Sequence, residues 1–87
     1  MEIKVLSSSS DEMELEINNL TLVEILRVYL NKDSSVTFAA WKREHSTKSP
    51  VLSFKTKGKT PKKALNDAID DITKELESIE SEFSKLK

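Results

Sequence analysis

The longest regular alternation of apolar and polar positions occupies the last third of the chain, residues 60–87. Its apolar residues follow one another at alternating steps of four and three: Leu65, Ile69, Ile72, Leu76, Ile79, Phe83 and Leu86. Steps of this size give the 3.5-residue period with which one helix packs along another. Thr60 suits an N-cap, Pro61 suits the first helical position, and no glycine or proline follows. The pattern therefore predicts a long, uninterrupted helix with one apolar stripe.

Such a helix would extend roughly 39 Å, since each residue adds about 1.5 Å. A compact domain of 87 residues is only about 31 Å across. The far end of the stripe then lies beyond the domain to which the helix belongs. We expect Ile79, Phe83 and Leu86 to be covered by another chain.

Two short segments near the N-terminus alternate with the period of a β-strand. Ile3 and Val5 alternate with charged residues and predict a short strand with one buried face. The serines and acidic residues that follow, at positions 7–12, are typical of a turn. A second alternation then predicts a strand with an apolar inner face made of Met13, Leu15 and Ile17.

Residues 21–32 predict the first helix. Thr21 and Glu24 have the spacing of a capping box at its start. The apolar residues of this segment are Leu22, Val23, Ile25, Leu26, Val28, Tyr29 and Leu30. They cover most of the circumference, and a helix that is apolar nearly all round is buried on more than one side. One side can pack on the sheet of this chain, and we expect a partner chain to cover the other.

Two further strands are predicted between the helices. Residues 36–45 predict a long strand with an inner face made of Val36, Phe38 and Ala40. Residues 51–57 predict a strand with Leu52 and Phe54 facing inward, and Gly58 marks the turn into the last helix. The element order ββαββα indicates an α+β fold with one domain over residues 1–87. We expect a four-stranded antiparallel sheet, with a central helix and the long C-terminal helix packed on one face.

Composition narrows the range of functions. The chain has no cysteine, which excludes disulfides, thiolate metal sites and thiol nucleophiles. Its formal net charge is -1, so the protein as a whole does not attract nucleic acid. No apolar run approaches the ~20 residues that span a membrane, and the first residues have no signal-peptide pattern.

The candidate chemical groups are few and isolated. His45 is the only histidine and has no aspartate or second histidine near it, which favours a structural role over metal or general-base chemistry. Glu14 and Glu16 lie along an alternating strand and are interpreted as its solvent face. No phosphate-binding loop, catalytic triad or metal-ligand spacing occurs. We therefore expect no catalytic residue, no metal and no cofactor.

One basic cluster has two interpretations. It comprises Lys55, Lys57, Lys59, Lys62 and Lys63, and is called the lysine cluster below. It suits contact with phosphates or with an acidic partner, but it is more typical of an exposed strand end protected against unwanted pairing. Base stacking would require both Phe38 and Phe54 on an exposed sheet face, and their alternation assigns both to the inner face.

Three segments resemble one known family. Residues 19–27, Asn-Leu-Thr-Leu-Val-Glu-Ile-Leu-Arg, are similar to its motif Asp-His-Thr-Leu-Gly-Asn-Leu-Leu-Arg. Residues 36–45 resemble the strand that follows this motif, and residues 60–65 resemble the start of the terminal helix. The family is subunit L of the archaeal DNA-directed RNA polymerase, which is related to small eukaryotic assembly subunits and to the N-terminal domain of the bacterial alpha subunit. The resemblance covers essentially the whole chain.

The motif is matched at Thr21, Leu22, Leu26 and Arg27 and altered at other positions. Leu20 stands where the motif has His, and Val23 and Glu24 stand where it has Gly and Asn. Ser46 replaces the proline that commonly follows the strand. The first two changes place larger residues at the start of the helix.

The resemblance implies a non-catalytic, cytoplasmic subunit that pairs with a larger alpha-like subunit, called D in archaea. Helices of the two chains pack together, and the pair forms a platform on which the large catalytic subunits assemble. No membrane contact and no direct sequence-specific contact with nucleic acid are implied. Together with the apolar patterns, the resemblance gives an expected interface made of Leu22, Ile25, Leu26, Tyr29, Leu30, Leu65, Ile69, Ile72, Leu76, Ile79 and Phe83.

Two alternatives remain open. A free-standing module that binds nucleic acid through the lysine cluster would show an affinity that falls steeply with salt. A homodimer would pack two copies of the same helices on each other. The second alternative predicts a stable dimer of the isolated chain.

Overall fold

Four strands and two helices make up the computed structural model, which describes residues 3–45 and 47–86. In chain order they are β1 (Ile3–Ser8), β2 (Glu12–Ile17), α1 (Leu20–Lys32), β3 (Val36–Lys42), β4 (Val51–Thr56) and α2 (Pro61–Lys85). The strands form one antiparallel sheet in the order β1-β2-β4-β3. Both helices pack on one face of this sheet. The predicted α+β fold is confirmed.

The core lies between the sheet and the two helices. The strands contribute Met13, Leu15 and Ile17 of β2 and Leu52 and Phe54 of β4, all buried as predicted. The helices contribute Val23, Leu26 and Leu30 of α1 and Ala64 and Ala68 of α2. Complete burial of each large apolar side chain contributes about 1.5–3 kcal/mol. The N-terminal half of α2 touches the core through these two alanines, whose small side chains let the helix lie close to its neighbours.

The start of α1 differs from the predicted capping box. The N-cap is Asn19, whose side-chain oxygen accepts a hydrogen bond of 2.9 Å from the backbone N–H of Leu22. Thr21 lies inside the helix, and Glu24 bonds to Arg27 and Trp41 instead of reaching back to the cap. The asparagine is the better cap because its short side chain reaches the free N–H groups from an extended backbone. The N-cap is therefore two residues earlier than predicted, at Asn19 instead of Thr21.

The inner face predicted for β3 is wrong after its first residue. The pairing with β4 shifts between Val36 and Phe38, which marks a β-bulge. An extra residue in one strand reverses the alternation of every side chain that follows. Phe38 is consequently 49% exposed, whereas its neighbour Ala39 is 8% exposed and pairs with the buried Phe54. Trp41 likewise takes the inward side that Ala40 was expected to occupy.

β3 is also shorter than predicted. It ends at Lys42, and the exposed His45 belongs to the loop that follows. Ser46, which stands in place of the family's proline, lies outside the described residues. β4 ends at Thr56, one residue before the predicted end, and Gly58 then adopts the left-handed φ of +83° that its turn requires.

β1 forms a strand as predicted, but its apolar side is not buried. Ile3 and Val5 pair with Ile17 and Leu15 and therefore lie on the face that carries the helices. Neither helix covers this edge strand, and Ile3 is therefore 52% and Val5 61% exposed. Leu6, at the shift in pairing with β2, is exposed as well.

α2 has the predicted start and length. The hydroxyl of Thr60 accepts a hydrogen bond of 3.3 Å from the backbone N–H of Lys63, and Pro61 is the first helical residue. The helix has 25 residues, and the described chain measures 46 Å along its longest axis. All described residues from position 73 onward are exposed. We call residues 76–85 the projecting end of α2.

Candidate subunit interface

The apolar stripe of α2 (Leu65, Ile69, Ile72, Leu76, Ile79, Phe83 and Leu86) divides into a half that packs on the core and a half that is open. Leu65 and Ile72 are partly buried against the core. Further along, Leu76 is 56%, Ile79 is 51% and Phe83 is 65% exposed. A stripe of large apolar side chains with the period of helix packing, left in water over about three helical turns, is typical of an interaction surface.

The outer face of α1, turned away from the sheet, carries exposed apolar side chains. Ile25 and Val28 are more than one-third exposed, and Leu20 is exposed at the start of the helix. Leu22 and Tyr29 are partly buried and line the side of α1. Only part of the circumference of α1 is therefore covered by this chain.

Two residues of the expected interface lie elsewhere. Leu26 is 2% exposed and Leu30 is fully buried, because both project onto the sheet and belong to the core of this chain. They pack α1 on the sheet and have almost no surface exposed in the isolated chain. The expected interface residues with large exposed side chains are Ile25, Ile69, Leu76, Ile79 and Phe83.

The sequence analysis missed a third exposed apolar element. Ile3 and Val5 of β1 lie on the same face of the sheet as the helices, and no element of the described chain covers them. The alternation of these residues indicated a strand but did not reveal that it is the edge strand. Nothing in this alternation distinguishes an edge strand from a central one.

α1 and α2 are joined by a polar contact beside the apolar surface. The hydroxyl of Tyr29 donates a hydrogen bond to the carboxylate of Glu75. This bond raises the pKa of Tyr29, because the negative carboxylate opposes ionisation of the hydroxyl. The ammonium of Lys32 lies 4.4 Å from the centre of the Tyr29 ring, in the range of a cation–π contact.

A second polar contact joins the end of α1 to the start of α2. The ammonium of Lys59 donates hydrogen bonds of 2.7 Å to Asp33 and 2.8 Å to Asp67. These bonds lower the pKa of both carboxyl groups and raise the pKa of Lys59. Lys63 adds a bond of 3.0 Å to Asp67. This network ties the end of α1 to the N-terminal end of α2.

Three of the five residues of the lysine cluster have acidic partners within this chain. Lys59 and Lys63 are held by Asp67, and Lys55 lies 3.7 Å from Glu12. Phe54 is buried in the core, so the two phenylalanines considered for base stacking do not share an exposed face. The geometry gives little support to the nucleic-acid alternative.

Glu24, a departure from the family motif, has a definite structural role. One of its carboxylate oxygens accepts a hydrogen bond of 2.7 Å from Nε1 of Trp41, and the other accepts bonds from Arg27. The bonds from Arg27 and then Trp41 lower the pKa of Glu24, because they stabilise its ionised form. The motif residue Arg27 therefore forms an ion pair with Glu24, which is one of the residues that depart from the motif.

The described part of the chain offers neither a metal-binding cluster nor a membrane-spanning helix. Residues 3–45 and 47–86 contain no group of three or more acidic or histidine side chains that could hold a metal ion. Within the same residues, neither helix is long and apolar enough to cross a membrane.

The comparisons with known proteins agree with each other. Residues 11–82 match the family described as the RNA polymerase Rpb3/Rpb11 dimerisation domain. The chain is 35% identical over 88 residues to DNA-directed RNA polymerase subunit Rpo11 from Methanococcoides burtonii, covering 98% of this chain and 97% of the relative. It is 36% identical over 89 residues to the Rpo11 subunit from Sulfurisphaera tokodaii, covering 93% of this chain and 96% of the relative.

A solved structure shows the same architecture. The crystal structure of DNA-directed RNA polymerase subunit L from Thermoplasma acidophilum superposes with a TM-score of 0.86 at 25% sequence identity. The match covers 97% of this chain and 86% of that one. The resemblance inferred from residues 19–27, 36–45 and 60–65 is confirmed. This chain belongs to the Rpo11-type, archaeal subunit L family of DNA-directed RNA polymerase subunits, which carry the Rpb3/Rpb11 dimerisation domain.

Proposed function

We propose that this chain is a non-catalytic assembly subunit of a DNA-directed RNA polymerase and that it forms a heterodimer with the larger alpha-like subunit, called D in archaea. The heterodimer then provides the platform on which the large catalytic subunits assemble. The observation that carries this proposal is the exposed apolar stripe on the projecting end of α2. Membership of a dimerisation-domain family supports it, because that surface requires a second chain.

The proposed contact surface has three parts. The main part is the stripe of α2 from Leu65 to Phe83, and the second is the outer side of α1 around Ile25 and Tyr29. The third is the apolar side of β1, which lies on the same face of the sheet as the helices. A partner helix placed along α2 would bury side chains that this chain leaves in water, and each such burial favours association.

The mass of the chain in solution tests this proposal. We expect light scattering to find a one-to-one complex when the chain is mixed with the alpha-like subunit, and no such particle when either chain is alone. Ile79→Asp places a carboxylate in the middle of the stripe and should abolish the complex, because an unpaired buried charge costs several kcal/mol. Ser81→Asp introduces the same charge on another side of the projecting end and should leave the complex intact.

Two outcomes would overturn the proposal. A stable homodimer that does not exchange with the alpha-like subunit would mean that the stripe pairs with itself. Equal yields of complex with Ile79→Asp and Ser81→Asp would mean that the partner binds elsewhere on the chain.

A further inference from the structure

The apolar stripe of the projecting end is bordered by carboxylates on both sides. Glu80 is one helical turn from Leu76 and Phe83, so it borders one edge of the stripe. Glu82 borders the other edge, and Glu75, which accepts the hydrogen bond from Tyr29, borders the same edge one residue before the projecting end begins. We call these three residues the rim carboxylates. The stripe between them cannot neutralise them, because its apolar residues carry no charge.

The basic residues of this segment lie away from the stripe. Lys74 and Lys85 are on the opposite side of the helix when their positions are turned through 100° per residue. Lys85 reaches within 3.7 Å of Glu82, but both side chains are 71% exposed, so the pair is weak and open to water. In the described part of the projecting end, both borders of the stripe are therefore acidic.

This arrangement opposes pairing with a second copy in either orientation. In an antiparallel pair of helices, each border faces the same border of the other helix, so Glu80 meets Glu80 and Glu82 meets Glu75 or Glu82. In a parallel pair, a residue of one border faces the residue of the opposite border that lies five positions later on the other helix, so Glu75 meets Glu80. Like charges meet in both cases. Repulsion of this kind is a common way in which a helical interface rejects the wrong partner.

We propose that the projecting end of α2 selects a partner helix whose own apolar stripe is bordered by lysine or arginine, and that the rim carboxylates prevent self-association. This inference rests on the function proposed above, since it assigns a chemistry to the chain that covers the stripe. The apolar stripe supplies most of the attraction. The rim carboxylates determine which helix binds to the stripe.

Neutral variants of the rim test the inference in two directions at once. Glu80→Gln with Glu82→Gln keeps the shape and removes two charges from the borders. We expect its affinity for the alpha-like subunit to fall about fivefold, since each exposed ion pair contributes modestly. We expect self-association of the isolated chain, measured by sedimentation equilibrium, to increase. A generally damaged protein would weaken both interactions, so opposite changes identify the rim effect.

A matched control removes two charges elsewhere on α2. Asp70→Asn with Glu77→Gln alters carboxylates on the side of the helix opposite to the stripe. This variant should match the parent in affinity for the alpha-like subunit and in self-association. It also has the same net charge as the rim variant, so any effect of total charge appears equally in both.

Salt provides an independent readout with unmodified protein. Added salt should weaken the complex with the alpha-like subunit, because it screens opposite charges at the rim. It should strengthen self-association of the isolated chain, because there it screens like charges. Both dependences should be weaker in the rim variant, which keeps only Glu75 of the three rim carboxylates, and unchanged in the control.

The outcomes separate this inference from the function proposed above. If the parent binds the alpha-like subunit and the rim variant binds with unchanged affinity and salt dependence, the charge selection is wrong and the heterodimer stands. If the rim variant gains no self-association, the claim that these carboxylates prevent homodimers is wrong. If the parent forms no complex with the alpha-like subunit, both the function and the inference are overturned.

Discussion

Truncating three exposed side chains of α2 should separate association from folding. The variant combines Leu76→Ala, Ile79→Ala and Phe83→Ala, all on the projecting end and all more than half exposed in the isolated chain. None of the three belongs to the core between the helices and the sheet. The variant removes most of the apolar surface proposed for the partner and leaves the core untouched.

The magnitude follows from the exposed fractions. Complete burial of a leucine, isoleucine or phenylalanine contributes about 1.5–3 kcal/mol. Somewhat more than half of each side chain is still exposed, at 56% for Leu76, 51% for Ile79 and 65% for Phe83. About 1 kcal/mol for each residue is then available to a partner, or ~3 kcal/mol for the three. This corresponds to a Kd about 150-fold higher.

The free energy of unfolding of the isolated chain should change much less. The three side chains lie outside the core, and alanine favours a helix slightly more than isoleucine or phenylalanine does. We expect the unfolding free energy to stay within about 1 kcal/mol of the parent, as is usual for surface substitutions. Leu30→Ala, by contrast, removes a fully buried side chain and should cost about 2–5 kcal/mol.

Titration calorimetry with the alpha-like subunit and urea denaturation of the chain alone measure the two quantities. A control with Ser78→Ala, Ser81→Ala and Ser84→Ala changes three exposed residues of the same helix away from the stripe. It should leave both quantities near the parent values. The reasoning fails if the truncated variant binds as tightly as the control, or if it loses stability as Leu30→Ala does.

Two further predictions concern pH. Trp41 is the only tryptophan, and its hydrogen bond to Glu24 should be lost when the Glu24 carboxylate takes up a proton. Because the pKa of Glu24 is lowered, we expect the change in Trp41 fluorescence to have its midpoint below the ordinary glutamate pKa of about 4.3. A Glu24→Gln variant that shows the same transition would contradict this prediction. Lys59→Met should lower the melting temperature most between about pH 5 and pH 9. The lowered pKa values of Asp33 and Asp67 give stability that is lost in acid, and the raised pKa of Lys59 gives stability that is lost in strong base. Calorimetry that finds the same difference from the parent at pH 2.5 and pH 7 would refute the assignment.

The helices were the most predictable part of the fold. The 3.5-residue period of the stripe, Thr60 and Pro61 together specify α2, because propensity, capping and periodicity all agree over 25 residues. The same period predicted that the stripe would extend beyond the domain, and the exposure of Phe83 agrees with this. Long periodic segments of this kind contain enough repeats to average out single exceptions.

The strands were less predictable because one residue can reverse a short pattern. The bulge after Val36 exchanges the sides of Phe38 and Ala39, and the amino-acid types at these positions give no sign of it. A short alternating segment also cannot indicate whether its strand is at the centre or at the edge of a sheet. For this reason Ile3 and Val5 were expected to be buried and are exposed.

The expected interface residues of α1 differ in exposure for a related physical reason. The apolar residues of α1 surround the helix, so the sequence cannot distinguish those that face the sheet from those that face outward. Leu26 and Leu30 belong to the core of this chain, whereas Ile25 is exposed. In α2, the length of the helix separates the exposed apolar residues from those in the core, because a helix longer than its domain must leave one end uncovered.

Amide hydrogen exchange along α2 tests the central claim most directly. In the isolated chain, the projecting end has helical hydrogen bonds and exposed side chains that pack on no other element, so residues 76–85 should open and exchange rapidly. In the complex with the alpha-like subunit, we expect their exchange to slow by at least about tenfold, because separation from the partner must precede opening. Unchanged exchange of residues 76–85 in a fully formed complex would contradict the claim that this end of α2 is the partner surface.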